Sequence, residues 1–326
     1  MKSKNSRKRA TSRTIYKRSL PKIHGAGDRT KKVNSILIDL AKKTEEQLQY
    51  WRVFQEYLVN ERESRKERIL EALRSQVISG YENDRLVRIV DTRYQTRPLS
   101  SYGSIVVPPG GRFNFGEISA YHQRFQALYV ASSFQTAASE RFLRHQKNEN
   151  TVDQESLDLR LDPNASFSSY RIRVKNLKVI DIRNDASIQP FLEVISEIEP
   201  LEWIVNLAKS LKQPKPRTAK TVEELKTLLF DPNFTQWGTL LDQPAASQWF
   251  GYYVRESDIH GVLYPSVRHN EGFNLAIFPD TLRDTSARVE LIDDAGGVSL
   301  EDRYLDGTNA QFQMQRSRLE IQMKTH

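Results

Sequence analysis

The chain has 326 residues, 38% hydrophobic and 28% charged, which is enough for a sizeable core with a polar surplus. Cysteine is absent, which excludes a disulfide framework, a thiolate nucleophile and every zinc site built on Cys, and no apolar run approaches the eighteen or so residues that span a bilayer. The net charge of +8 is unevenly spread: Met1–Lys32 holds twelve Lys or Arg and one acid, Asp28, about +11, so the remainder is near −3.

Residues 1–32 therefore read as a basic, disordered leader. It lacks the apolar stretch of a secretory signal, and cytoplasmic residence without membrane association is the expectation. Such an arm suits contact with nucleic acid or an acidic partner, and equally a simply solvated leader. From about 33 to 80 the pattern is helical. Leu37, Leu40, Leu48, Trp51, Phe54 and Leu58 recur at three- and four-residue steps, and Ile69, Leu70, Leu73 and Val77 resume the spacing. "NERESRKER" between them predicts a solvated face or a break between two helices, with Gly80 as the stop. This extension reads as a packing or partner element, which leaves a homo-oligomer open.

From Arg85 the texture changes to short strands and turns. "RLVRIV" predicts a strand and Ala127–Ala131 another, followed by Ser132-Ser133 at the start of a helix near Phe134. "YRIRVKNLKVIDIRN" predicts one or two strands around Asn176. A helix over 188–211 containing Trp203, a "QPKPR" linker and a Thr221/Glu224 capping box come next. Two apolar strands flank a polar loop in "DIHGVLYPSVRHNEGFNLAIFPD". Residues 286–326, with Gly296-Gly297 as a turn, read as a hairpin and tail.

Walker A, G-x-G-x-x-G, G-x-S-x-G and H-E-x-x-H patterns are all missing, and no metal site is expected. What remains is a set of polar residues in tightly specified surroundings. Arg112 sits in "PPGGRFNFGE", Tyr129 in "LYVASS", Glu140 in "TAASERF" and Ser266 in "YPSVR". Taken singly, each has an ordinary structural role open to it: a turn residue, a core tyrosine, a solvated charge, turn chemistry after proline.

In that order, "GGRFN", "LYVASSFQTAASE" and "GVLYPSVRHNEGFNLAIF" resemble the three signature blocks of the RES domain family, and "RLVRIV" resembles the strand that opens the domain. The resemblance spans roughly residues 85–280. Two departures are a longer connection, "FGEISAYHQRFQA", and a long stretch between Asn184 and Gln248. The resemblance implies an α+β, ADP-ribosyltransferase-like fold with small mixed or antiparallel sheets and helices. On this reading the catalytic domain covers 81–285, between the helical extension and the C-terminal hairpin.

The resemblance also implies NAD as substrate, cleaved at the nicotinamide–ribose bond by a toxin whose antitoxin partner carries a helix-turn-helix domain. Inorganic phosphate is the expected acceptor, which makes the reaction a phosphorolysis. Hydrolysis and ADP-ribosylation of a protein use the same site, and an inactive RES-like body serving as a nucleic-acid-binding scaffold is the alternative from another class. Glu140 suits stabilisation of an oxocarbenium-like ribose, and Arg112 a pyrophosphate, with Gly110 and Gly111 leaving room for the phosphate. Tyr129 is expected to stack on nicotinamide and Ser266 to hydrogen-bond nicotinamide or its ribose. Arg88 and Arg268 are further candidates for phosphate contacts.

Overall fold

A computed structural model of the protein describes residues 28–118, 122–142, 166–292, 303–306 and 309. The chain divides into two compact units, residues 1–45 and 46–326. In the first unit the described residues, 28–45, are helical. The proposed leader otherwise lies outside the described residues, as does the Gly296-Gly297 turn.

Helix α1 runs Asp28–Ser64 and α2 Lys66–Arg74, so the charged stretch does break the helix, at Arg65. In α1 the spacing Tyr50, Phe54, Leu58 places three buried side chains on one stripe, and Ile69, Leu70 and Leu73 of α2 join the same core. Residues from Tyr50 onward are thus core material of the second unit. Gly80 does not stop the helix. It lies at φ +69° inside strand β1 (Ile78–Asp91), between register shifts that mark bulges.

After β1 come the short helix α3 (Gly103–Val106), strand β2 (Leu128–Ala131) and helix α4 (Phe134–Phe142). Ser133 Oγ caps α4 by accepting from the Thr136 amide at 3.1 Å. Strand β3 is one continuous element, Phe167–Asp181, which passes through Asn176 at φ 51°. The helix expected over 188–211 is two helices, α5 (Asp185–Ser196) and α6 (Glu202–Ser210), because Pro200 interrupts the run between them. Helices α7 (Val222–Leu229), α8 (Phe234–Leu241) and α9 (Ala246–Glu256) follow. Thr221 Oγ1 caps α7 by accepting from Glu224 N at 3.2 Å, while the Glu224 carboxylate reaches back to Lys220 N at 2.9 Å. The two apolar strands around a polar loop are β4 (Gly261–Pro265) and β5 (Phe273–Ile277). Strands β6 (Arg288–Leu291) and β7 (Tyr304–Asp306) pair as an antiparallel hairpin.

The expected small sheets are one seven-stranded mixed sheet, ordered β1-β2-β5-β4-β3-β6-β7. Because β1 also pairs with β3, the strands β1, β2, β5, β4 and β3 close a ring, and only β3–β4 is parallel. The C-terminal hairpin continues this sheet through β6 on β3. Strand alternation feeds two cores. Leu128, Val130, Leu263, Leu275 and Ile277 face a core shared by the strands, whereas Val262, Tyr264 and Ala276 face the helices α1, α2, α5 and α9. Cross-strand register then sets Tyr129 opposite Ala276 and Tyr264 opposite Asn274, on the helical side. No helix among the described residues is long and apolar enough to cross a membrane.

His260, at the entry to β4, is 2% exposed. Its Nδ1 accepts from the Lys178 amide at 3.0 Å, so taking up a proton there breaks that bond. Burial, with the nearby Lys178 charge, pushes the imidazole down from 6.5 to about 4. Between those values the unfolded chain binds a proton that the native chain does not, so stability falls as pH drops from 6.5 towards 4. The loss expected over this window is about 3 kcal/mol. Urea unfolding across the pH range should show that slope, and His260→Asn should flatten it.

Candidate active site

The stretch that carries Arg112 is shaped by the protein's own packing. Gly110 has φ +101°, and a Cβ there would lie 2.3 Å from Gly116 N; a Cβ on Gly111 would lie 2.4 Å from the Tyr129 hydroxyl. The two glycines therefore let the turn close on Gly116 and on Tyr129, a use different from the phosphate clearance expected of them. Asn114, fully buried, ties the turn from inside. Its Nδ2 donates to Ser104 O (2.8 Å) and Phe125 O (3.0 Å), and its Oδ1 accepts from Gly111 N (3.0 Å) and the Tyr129 hydroxyl (2.8 Å).

Gln248 of α9 clamps the same turn. Its Nε2 lies 2.9 Å from Pro109 O, 3.1 Å from Gly111 O and 3.0 Å from Asn114 O, and its Oε1 accepts from Ala245 N at 3.0 Å. Neither Asn114 nor Gln248 was singled out from sequence. Asn114 stands in the motif itself, but Gln248 is more than 130 residues away and nothing local marks it.

Arg112 is 9% exposed. Its Nη1 donates to Leu229 O (2.9 Å) and Asp231 O (3.1 Å), carbonyls at and just past the end of α7, where helix carbonyls lack partners and the dipole favours a cation. The guanidinium lies 4.6 Å from the Phe234 ring centre. Burial lowers its pKa, opposed by Tyr264, Glu140, Tyr129 and Asp231. Among the described residues Nε and Nη2 make no hydrogen bond, so part of the fork is open.

Glu140, on α4, faces the same cleft. Its Oε1 accepts from Ser266 Oγ at 2.6 Å and from Asn274 Nδ2 at 3.1 Å. Its Oε2 lies 3.9 Å from Arg268 Nε and accepts no hydrogen bond among the described residues. Ser266 also receives the amides of Arg268 (3.2 Å) and His269 (3.1 Å). Its one proton goes to Glu140, so in this structure Ser266 orients the carboxylate in place of the direct ligand contact expected of it. Arg268 bonds the Glu140 carbonyl through Nη1.

The Tyr129 ring lines the cleft, while its hydroxyl is held behind it by Asn114 and by Phe113 N at 2.9 Å. Burial raises the pKa of Tyr129 and of Tyr264 beside it. Arg88 has less freedom than a phosphate-binding role requires. Its Nη1 donates to Tyr129 O (2.7 Å) and its Nη2 to Ser100 O (2.8 Å), and burial followed by the Arg141 charge lowers its pKa to about 10.

Arg88, Arg112, Tyr129, Glu140, Tyr264, Arg268 and Asn274 line one cleft of about 410 Å³, and Ser266 is joined to it through Glu140. Its walls carry four arginines (Arg88, Arg112, Arg141 and Arg268) and a single carboxylate, Glu140. Such a site attracts anions, and it offers one carboxylate oxygen to a developing positive charge. Among the described residues no group of His, Asp or Glu is placed to hold a metal ion.

A family model described as "RES domain" matches residues 85–296, about two thirds of the chain. That match takes in β1 from Arg85 through β6. Among solved structures the chain is similar to the crystal structure of the M. tuberculosis MbcT–MbcA toxin–antitoxin complex, at 15% identity and a TM-score of 0.40, covering 76% of this chain and 96% of that one. No curated protein matches the sequence.

Replacing Gln248 with Leu removes the donor shared by three carbonyls and leaves the buried Asn114 O with no partner among the described residues. A loss of about 1–3 kcal/mol in urea unfolding is expected. Faster amide exchange over residues 110–114 should accompany it, because the turn loses its clamp.

Proposed function

The chain belongs to the RES domain family, and on that premise together with the cleft we propose that it cleaves the nicotinamide–ribose bond of NAD, with inorganic phosphate as acceptor. The observation that carries this reading is the polarised Glu140 carboxylate: Oε1 is pinned by Ser266 and Asn274, and Oε2 is left facing a cleft otherwise lined with arginines.

In the proposed reaction the bond from the ribose carbon to the pyridinium nitrogen breaks, and its electron pair neutralises the leaving nicotinamide. Positive charge develops on the ribose, and Glu140 Oε2 stabilises it and receives a ribose hydroxyl. A phosphate oxygen then forms the new bond to that carbon and gives ADP-ribose-1″-phosphate. The open Nε and Nη2 of Arg112 suit the pyrophosphate. The excess of arginine over carboxylate also suits a second anion, the attacking phosphate. Arg268, beside the free oxygen, is better placed for it than Arg88, whose two Nη groups are held by carbonyls. The Tyr129 ring, fixed from behind, offers a face to nicotinamide. Ser266 and Asn274 are positioning residues.

This reading carries with it a toxin's role and, by the family resemblance, an antitoxin partner with a helix-turn-helix domain. The basic leader, which suits nucleic acid, an acidic partner or plain solvation, lies mostly outside the described residues.

NAD consumption by the purified protein, with and without inorganic phosphate and with products resolved by mass, tests the proposal. Phosphate-dependent loss of NAD is expected. Arg112→Ala and Glu140→Ala should each lower the rate on the order of a hundred- to a thousandfold. Loss without phosphate identifies a hydrolase. No loss in either condition leaves a transferase that requires a protein target, or an inactive scaffold. Asn274→Ala should lower kcat with little change in KM, because it frees the carboxylate without touching the pyrophosphate.

A further inference from the structure

His269 is not among the residues that line the cleft, yet it is joined to both of the elements that set Glu140. Its ring Nδ1 lies 3.0 Å from Thr136 Oγ1, and its amide donates to Ser266 Oγ at 3.1 Å. Thr136 is fully buried and sits on α4 one turn before Glu140, so two side chains of one helix face both meet the loop between β4 and β5. Thr136 takes His269, and Glu140 takes Ser266. The loop is closed behind these contacts, because Gly272 N donates to His269 O and Ser266 N to Gly272 O, each at 2.9 Å.

Space for the Thr136–His269 contact is specified as well. A Cβ on Gly272 would lie 2.2 Å from Thr136 Oγ1 and 2.8 Å from His269 Nδ1, so a side chain there would push into the pair. Thr136 Oγ1 also lies 2.9 Å from Ser133 Oγ and 3.3 Å from Ser132 Oγ. Ser132 Oγ accepts from Phe273 N at 3.0 Å, so this hydroxyl cluster ties the start of α4 to the first residue of β5. Either tautomer of His269 is met there, since Thr136 can donate to a bare Nδ1 or accept from a protonated one.

Ser266 connects the contact to the carboxylate. Its oxygen has two acceptor sites, and the amides of Arg268 and His269 occupy both, which leaves its one proton for Glu140. Withdrawing the His269 ring from Thr136 releases the loop that brings those amides. The Ser266 proton is then free to turn away, and Glu140 Oε1 loses a partner. We propose that His269 is a positioning residue: through Thr136 and Ser266 it holds the Glu140 carboxylate in the orientation that leaves Oε2 to the cleft. The consequence for turnover rests on Glu140 acting at the ribose of NAD, as proposed above; the contact itself does not.

Four variants of the full-length protein test this. His269→Ala and Thr136→Val remove the contact. His269→Asn and Thr136→Ser keep it, because an Asn amide can put an oxygen or a nitrogen near the Nδ1 position and serine retains the hydroxyl. The first pair should lower kcat for NAD about tenfold with KM within about twofold, and the second pair should stay within about threefold of the parent. Deuterium exchange of the amides over residues 266–272 should be faster in the first pair and parent-like in the second. A general loss of packing would instead raise exchange across the sheet and would not be repaired by the conservative variants. If the parent consumes NAD and His269→Ala matches its kcat, or His269→Asn is as slow as His269→Ala, the proposal is overturned. If the parent leaves NAD intact, the proposed reaction fails and exchange alone decides: unchanged protection of residues 266–272 in His269→Ala then overturns the positioning role.

Discussion

One side-chain amide holds the turn on which the cleft depends. The carbonyls of Pro109, Gly111 and Asn114 converge on Gln248 Nε2; Pro109 O also takes the Gly116 amide at 2.9 Å and Gly111 O the Asn114 amide at 3.5 Å, whereas Asn114 O has no other partner among the described residues. Without that donor the turn would bury Asn114 O unpaired and leave Gly111 O on one long bond, and such desolvation is more costly than the net gain of an ordinary hydrogen bond. Gln248 is itself fixed, because its Oε1 takes the Ala245 amide at the start of α9 and the helix is packed through Trp249, Phe250 and Tyr253. The position of Arg112 is therefore set by a helix that makes no direct contribution to the chemistry. Asn114 completes the arrangement by joining the turn to Tyr129, and so to β2.

From that turn the electrostatics of the cleft follow. Arg112 is buried but not paired with a carboxylate. It rests on two carbonyls at the C-terminal end of α7 and on the Phe234 ring, partners that hold a guanidinium without neutralising it. Glu140 is likewise held mainly by neutral donors, a hydroxyl and an amide, with Arg268 Nε at 3.9 Å. A direct Arg112–Glu140 ion pair would cancel both charges and close the cleft. Keeping each on neutral partners leaves a cationic surface that attracts anions and one carboxylate oxygen that accepts no hydrogen bond among the described residues.

The sequence showed the residues that carry charge in the cleft more readily than the residues that place them. Arg112, Tyr129, Glu140 and Ser266 stand in short, strongly patterned stretches, and the structure brings all four together. Their local contacts were less legible. Ser266 read as a ligand contact because its partner Glu140 is 126 residues distant, and the role of Asn274 inside the strand "FNLAIF" depends on which face β5 presents. Arg88 reads from sequence as a free cation on a strand; only the closed ring of strands shows it surrounded by the carbonyls of Tyr129 and Ser100. The extent of β1 was hidden for another reason. Gly80 and the register shifts up to Leu86 break the alternation by which a strand is recognised, so the visible part began at "RLVRIV".

The long stretch between Asn184 and Gln248 stood out in the sequence as a departure, and its structural consequence is that Pro232 and Phe234, where α7 gives way to α8, build one side of the cleft. Leu229, Asp231 and Phe234 touch Arg112 directly, so the arginine of the motif is completed by residues from outside the motif. Leu229 and Asp231 also line a second, largely apolar cavity of about 270 Å³ beside Trp51, Trp237 and Trp249. A short segment that faces two cavities cannot move for one without being felt by the other, because the carbonyls that hold Arg112 are fixed by backbone geometry and the side chains beside them are packed. Arg112 rests on carbonyls with part of its fork open. That arrangement follows from one physical rule: a guanidinium can be buried at tolerable cost when rings and carbonyls surround it, and it then retains an unmet demand for an anion.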